Sequence, residues 1–123
     1  MAIPASTTII IHKGDRVILR YVVEDAPNLT NYKAYWAATP TTDLTDKKIE
    51  KSTAGHFGDL GGIVIDGINV DVTLESTDTN EASTLGVGLY ACQLHLEDAS
   101  ENPKVAASDI INLKEAIKKL GVT

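Results

Sequence analysis

The sequence predicts an all-β fold: an antiparallel β-sandwich of seven to eight strands, followed by a short C-terminal helix. Two observations carry this prediction. Apolar residues alternate with polar ones at a period of two through most of the chain, which is the pattern of strands with one buried face. Turn signals built from Gly, Pro, Asn and Asp recur about every ten residues, as the short strands of a sandwich require.

The segment 86–96 narrows the fold class. Read with period two, it places Tyr90 and Cys92 on one apolar face. A Tyr two residues before a cysteine is the spacing of the tyrosine corner in immunoglobulin-like sandwiches, and a Trp on an earlier strand is its packing partner. Trp36 is the only Trp, and small residues flank it on its own strand face. The sequence therefore predicts an immunoglobulin-like sandwich with a core signature of Trp36, Tyr90 and Cys92.

Strands are predicted in the segments 7–12, 16–24, 32–39, 47–52, 63–75, 86–96 and 104–111. The segment 63–75 is read as a hairpin, because Asp66-Gly67 is a favoured dipeptide of type I′ turns. With that turn, Ile65 lies opposite Ile68. The alternation then puts the aliphatic residues of both strands on one face, so turn chemistry and burial pattern agree.

All 123 residues fit a single domain, which at this size buries about two-thirds of its unfolded surface. Residues 1–6 are read as an N-terminal arm. A C-terminal helix is predicted over 113–120, because Asn112 is a suitable cap and Glu115 follows three residues later. Its apolar stripe consists of Leu113, Ile117 and Leu120.

Two apolar surfaces remain outside the predicted core. A helix of this length is marginal alone in water, so its stripe packs either on its own sandwich or on another protein, and both alternatives stay open. Ile10 shows an apolar side chain on the second face of the first strand. We predict that the chain forms a homo-oligomer, with assembly contacts at Ile10, Leu113, Ile117 and Leu120.

Composition excludes several classes of partner. The net charge of −6 and the acidic pI of about 4.9 argue against binding to nucleic acid or to an anionic membrane. A single cysteine cannot form an intrachain disulfide. The first residues lack a basic segment and a long apolar run, and no apolar stretch approaches about 18 residues. We therefore expect synthesis in a cytoplasm without secretion.

The ionisable residues form no catalytic or metal-binding motif. The histidines are far apart in the sequence: His12, His56 and His95. An oxygen-rich set that leaves calcium open consists of Asp59, Asp66, Asn69 and Asp71, but it lacks the spacing of an EF-hand. No Gly-x-Ser-x-Gly elbow or phosphate-binding glycine loop occurs. The sequence therefore predicts a protein that is not an enzyme and has no cofactor.

Three segments carry a family resemblance: IHKGDR at 11–16, DAPNLT at 25–30 and GLYAC at 88–92. The chain resembles the N-terminal immunoglobulin-like domain of phage baseplate upper proteins over roughly residues 7–112. This resemblance implies a virion structural protein that docks in the tail or baseplate of a tailed phage. Because the sequence ends shortly after the predicted helix, we expect no receptor-binding part behind the domain, a departure from the family that favours an adaptor or fibre-attachment role.

Two alternatives to a tail role stay open. One is a capsid decoration or cement protein, which the sequence does not distinguish from a tail protein. The other is a free-standing carbohydrate-binding module, which stacks sugars on exposed aromatic rings. Tyr21, Trp36 and Tyr90 are predicted to be buried in the core. Tyr35 and Phe57 therefore remain as the only plausible outward aromatic platform.

Overall fold

The computed structural model describes residues 8–23, 29, 31–58, 60–79, 85–98 and 103–115. The eight strands in this part of the chain are β1 (Thr8–His12), β2 (Val17–Val22), β3 (Lys33–Pro40), β4 (Ile49–Thr53), β5 (Gly62–Asp66), β6 (Asn69–Leu74), β7 (Gly88–Glu97) and β8 (Pro103–Lys114). One helical turn, α1 (Ser76–Thr79), follows β6. The predicted N-terminal arm, 1–6, lies outside the described residues.

The strands follow the order β1-β8-β7-β3-β4-β5-β6-β2. Neighbouring strands are antiparallel except for the pairs β1–β8 and β4–β5. The β4–β5 contact joins only Ser52 to Gly62 and Thr53 to Ile63, so it is a short seam. A sheet of β1, β8, β7, β3 and β4 lies on one side of this seam, and a sheet of β5, β6 and β2 lies on the other.

The two sheets face each other across a single core. Trp36 on β3 donates a hydrogen bond from its indole Nε1 to the hydroxyl of Tyr21 on β2, at 3.1 Å, although three strands separate β3 from β2 in the order. Buried residues from both sheets belong to one cluster. The strand order and this packing are those of an immunoglobulin-like sandwich, which confirms the predicted fold class.

The tyrosine corner is present on β7. The Tyr90 hydroxyl donates to the backbone carbonyl of Gly86 at 2.6 Å, a few residues upstream, as such corners do. The structure places the whole predicted core signature in the core cluster: Trp36 is 0% exposed, Tyr90 8% and Cys92 1%. Burial raises the pKa of the Cys92 thiol to about 12, so this cysteine is un-ionised at neutral pH.

A buried polar chain crosses the core beside Cys92. The Tyr21 hydroxyl accepts from the Trp36 indole and is hydrogen-bonded to the carboxylate of Asp109 on β8. Burial, and then this carboxylate, raise the pKa of Tyr21 far above its usual value. Asp109 is only 7% exposed, and among the described residues no buried side-chain polar atom lacks a hydrogen-bond partner. The chain therefore satisfies the polar groups that the sandwich encloses.

The predicted hairpin register is wrong by two residues. Ile65 pairs with Val70 rather than Ile68, and the two loop residues are Gly67 and Ile68. A type I′ turn at Asp66-Gly67 requires a positive φ at both positions, whereas here Gly67 alone has one, at 63°, as in type II′ turns. Because a shift of two keeps the alternation, the predicted buried face is preserved on β6, where alternate residues are buried.

The predicted start of the C-terminal helix is also wrong. Strand β8 continues through Lys114, and it pairs with β1 up to the register of His12 with Lys114. Leu113, predicted as an assembly contact, is 2% exposed and belongs to the core. Capping signals act only where the chain is free to leave a sheet, and here two neighbouring strands hold it. Residues 116–120 lie outside the described residues.

We expect Trp36→Ala to lower the free energy of unfolding by about 3–5 kcal/mol, because the indole is fully buried and its loss leaves a cavity. The matched comparison is Trp36→Phe, which keeps an aromatic ring in the core but removes the N–H donor and part of the ring volume, and it should cost less than the alanine variant. Urea unfolding followed by far-UV circular dichroism measures both changes. A loss below about 1 kcal/mol for the alanine variant would contradict the assigned core position.

Candidate binding face and aromatic cleft

On strands β1, β8, β7 and β3, the outer surface of the five-stranded sheet carries no charged residue between its two ends, and Glu50 on β4, opposite Ala37, borders this area. One end is the row of His12 and Lys114, and the other is the pair of Lys33 and Glu97. The described outward residues between them, which we call the neutral face, are Thr8, Ile10, Tyr35, Ala37, Thr39, Leu89, Ala91, Gln93, His95, Ser108, Ile110 and Asn112. Each alternates along its strand with a core residue, which fixes its orientation.

The outer surface of the opposite sheet is different in kind. Arg20 on β2 binds the Asp71 carboxylate on β6 through two hydrogen bonds, at 2.7 and 2.8 Å. This hydrogen-bonded guanidinium lowers the pKa of Asp71. Arg16 is 3.2 Å from Glu75 on the same side of the molecule. The lack of charge is thus specific to the neutral face and is not a general property of this acidic chain.

A cleft of about 400 Å³ opens at one end of the neutral face. Small residues, Ala37, Thr39 and Ala91, form its floor, and Ala37 and Thr39 are less than 10% exposed although they point outward. The larger residues around them are Tyr35, Leu44, Lys47, Phe57, Gln93, His95, Leu96 and Glu97. We call this feature the aromatic cleft. Its concavity follows from small side chains on two strands and large ones at their borders.

Three rings meet at the aromatic cleft. The centroids of Tyr35 and Phe57 are 5.6 Å apart, with the rings tilted by 52°, and those of Tyr35 and His95 are 6.1 Å apart in an edge-on arrangement. The Lys47 ammonium lies 5.5 Å from the Tyr35 centroid, a cation–π distance. The central ring, Tyr35, is therefore held from three sides, while Phe57 is 43% exposed.

Polar contacts orient the rings of the aromatic cleft. The Tyr35 hydroxyl donates a hydrogen bond to Glu50 Oε1 at 2.6 Å. Burial is the larger cause that raises the pKa of Tyr35, and the Glu50 carboxylate is the second. His95 Nε2 lies 3.1 Å from Gln93 Oε1. Burial first, and then the charge of Lys47, lower the pKa of His95, so its imidazole is neutral at pH 7.

The loop after β4 presents Phe57 in an uncommon conformation. Phe57 has a φ of 50°, the only positive φ among the described non-glycine residues. Ser52, which is 0% exposed, holds the loop: its hydroxyl is 2.9 Å from the His56 carbonyl and accepts from the Leu60 amide at 3.0 Å. A strained backbone persists only where its surroundings determine it, and such strain is concentrated at functional sites.

The predicted assembly contacts do not form one surface, and the residues for which calcium was left open do not form a ligand group. Ile10 is 60% exposed on the neutral face, whereas Leu113 is core and Ile117 and Leu120 lie outside the described residues. Asp71 of the calcium set is engaged by Arg20, and Asp59 lies outside the described residues. Where the structure describes the chain, no group of three His, Cys, Asp or Glu residues is placed to hold a metal ion.

The structure joins Tyr35 and Phe57, which the sequence leaves as an outward pair, and adds His95 and Lys47 to them. The sequence reading treats His95 as a solvated histidine. The alternation did contain a signal for an uncharged surface. On the two strands that carry Trp36 and Cys92, the outward positions next to these residues are uncharged. Phe57 has no such signal, because its place depends on the loop fold.

Comparisons with known proteins identify no family for this chain. No protein-family model and no curated protein matches the chain. The extracellular domains 3–5 of Drosophila OTK are 19% identical with a TM-score of 0.39, over 98% of this chain but 40% of that one. The extracellular domain of the voltage-gated sodium channel β4 subunit, solved as parallel homodimers, is 14% identical with a TM-score of 0.41, over 95% and 98% of the two chains. The fold assignment therefore rests on the strand order and contacts above.

The described residues also contain no helix with the length and apolarity needed to cross a membrane.

We predict that the pKa of His95 lies below the usual value of about 6.5 and rises toward it in the variant Lys47→Gln, which removes a nearby positive charge. Because the folded-state pKa is lowered, the stability contributed by neutral His95 is present above pH about 6.5 and is lost as the pH falls through the lowered pKa. An NMR titration of the imidazole measures the pKa, with Lys114→Gln as the control at the far end of the sheet. An unchanged pKa in Lys47→Gln would contradict the geometry.

Proposed function

We propose that this chain is a non-catalytic structural protein that acts by protein–protein assembly, as a tail or baseplate component of a tailed-phage virion. The neutral face is the observation that supports assembly. Charged residues are depleted at the centres of protein interfaces, whereas aromatic residues are enriched there. An area across four strands without a charge is unusual in a chain that is 23% charged, and Glu50 on β4 marks its border.

A second copy of the chain is the partner that the charges favour. Each copy carries a net charge of −6, so two copies repel each other over most of their surfaces. The neutral face is a place where two copies can meet without opposing like charges. A two-fold contact places the same patch on both copies, and an uncharged patch is complementary to itself in this respect.

The aliphatic end of the neutral face is the expected centre of the contact. Ile10 and Leu89 both pair with Asn112, so they form one row across β1, β8 and β7. Ile10 is 60% exposed and Leu89 is 50% exposed. Val87, also 51% exposed, precedes the same strand. This row, which we call the aliphatic row (Ile10, Asn112 and Leu89), would exclude water at the middle of a dimer.

We predict that Ile10→Asp weakens self-association by at least about tenfold, because it buries a carboxylate at the contact on each copy. Val64→Asp is the matched control, since Val64 is 66% exposed on a strand of the opposite sheet. Size-exclusion chromatography with multi-angle light scattering, over a range of protein concentrations, gives the mass of each variant. Circular dichroism verifies that both variants keep the β fold.

Two results would count against this contact. One is a wild-type chain that remains monomeric at all accessible concentrations. The other is an equal loss of association in Ile10→Asp and Val64→Asp, which would indicate a general charge effect rather than a contact at the neutral face.

The virion location is supported by the resemblance to the baseplate upper protein domain. We predict that the gene lies among genes for tail and baseplate proteins. Sequencing of the genomic neighbourhood tests this. A position beside capsid genes would instead favour a decoration or cement role, and a neighbourhood without virion genes would contradict a structural role in a phage.

A further inference from the structure

We propose that the aromatic cleft is a binding site for a neutral saccharide of one or two pyranose rings. This inference goes beyond assembly and does not depend on it. It rests on the shape of the cleft, on its exposed ring and on the arrangement of its charges.

The dimensions of the aromatic cleft suit a small ligand. Its volume of about 400 Å³ lies near the lower end of the range of about 300–1,000 Å³ that is typical of ligand clefts. The floor of Ala37, Thr39 and Ala91 projects little, which leaves the depth for a ring rather than for a single side chain. The walls come from two loops and from β7, so the cleft is bounded along its length.

The rings match the apolar face of a sugar. A pyranose has C–H groups on its faces and hydroxyl groups at its edge, so it stacks on an aromatic ring while its edge makes hydrogen bonds. Phe57 offers a ring that is 43% exposed, and Tyr35 supports it at 5.6 Å. The Ser52 hydroxyl fixes the loop that carries Phe57, so the platform is formed before a ligand arrives.

The charges of the aromatic cleft favour a neutral ligand over an ion. Glu97 lies 3.8 Å from Lys33, and Glu50 accepts the hydrogen bond of Tyr35. Lys47 remains as a single ammonium over a ring, which opposes a cationic ligand, and one cation is less than anion-binding sites normally provide. Gln93 and His95 supply a side-chain amide and an imidazole, which suit the hydroxyl edge of a sugar.

The position of the aromatic cleft is compatible with assembly through the aliphatic row. Leu89 and His95 are six residues apart on β7, which corresponds to about 20 Å along an extended strand. Ala91 on the cleft floor is only two residues from Leu89, so a dimer centred on the aliphatic row covers that end of the floor and leaves the rings around Tyr35 at the border of the contact. Ile10→Asp and Phe57→Ala change the two ends of the neutral face separately.

Saturation-transfer difference NMR on the full chain tests the proposal. The probes are the methyl glycosides of glucose, galactose, mannose and N-acetylglucosamine at millimolar concentration. We expect transfer to the ring C–H protons of at least one glycoside, and chemical-shift changes in the protein confined to residues of the aromatic cleft.

Variants locate the binding. Phe57→Ala should weaken binding by about tenfold or more, whereas Phe57→Tyr, which keeps a ring, should preserve it. Leu60→Ala is the matched control, because Leu60 lies in the same loop, is 44% exposed and does not line the cleft. Gln93→Ala is a second test at an exposed strand position, where the substitution does not disturb the core, and it should also weaken binding.

Several outcomes would overturn the proposal. They are no transfer to any of the four glycosides, undiminished binding in both Phe57→Ala and Gln93→Ala, and an equal loss in Leu60→Ala. Chemical-shift changes in the cleft with a proline-rich peptide, but with none of the glycosides, would replace the saccharide with a peptide ligand.

Discussion

The hydrogen-bond chain from Trp36 through Tyr21 to Asp109 is the interaction on which the rest of the sandwich depends. It connects β3, β2 and β8, so it fixes one sheet over the other at the place where antibody domains have a disulfide next to their Trp. The single cysteine here, Cys92, is un-ionised and packed beside Asp109. A core of this kind does not require oxidation to form, and its polar members specify one alignment of the sheets because each would otherwise be buried without a partner.

This alignment determines what the outer surfaces present. Once Trp36 on β3 and Cys92 on β7 point inward, the residues next to each of them along its strand must point outward. Those neighbouring residues are uncharged. The same strands that build the core thus build the neutral face and the floor of the aromatic cleft. The loop after β4 then adds Phe57 to Tyr35, with Ser52 as its support. A rigid scaffold with a ligand-facing loop is the usual division of labour in proteins that bind.

Period-two alternation was enough to predict the sandwich, the burial of Trp36 and the tyrosine corner, because each depends on residues close in sequence. It was not enough for features that tertiary contacts decide. The hairpin turn lies one residue later than predicted. There, the carbonyls of Gly67 and Ile68 accept hydrogen bonds from the amides of Leu29 and Val23, respectively, and both amides are distant in sequence. Asn112 does not cap a helix, because it belongs to β8, which is paired with β1 on one edge and with β7 on the other. For the aromatic cleft, the sequence predicted only two outward aromatic residues and not their contact. The conformation of a loop with a positive φ at Phe57 leaves no periodic pattern in the sequence.

The seam between β4 and β5 has a consequence for how the protein avoids aggregation. Two residue pairs suffice to join the borders of both sheets, and Lys51, 2.8 Å from Asp78, crosses the same side of the sandwich. The ladder between the two strands ends after these two pairs, so it does not cover the remaining edge of either strand. In the described part of the chain, β1 and β2 are the ends of the strand order. Growth of fibres by strand addition needs an open edge, and the charges of Lys51 and Asp78 oppose it beside the seam.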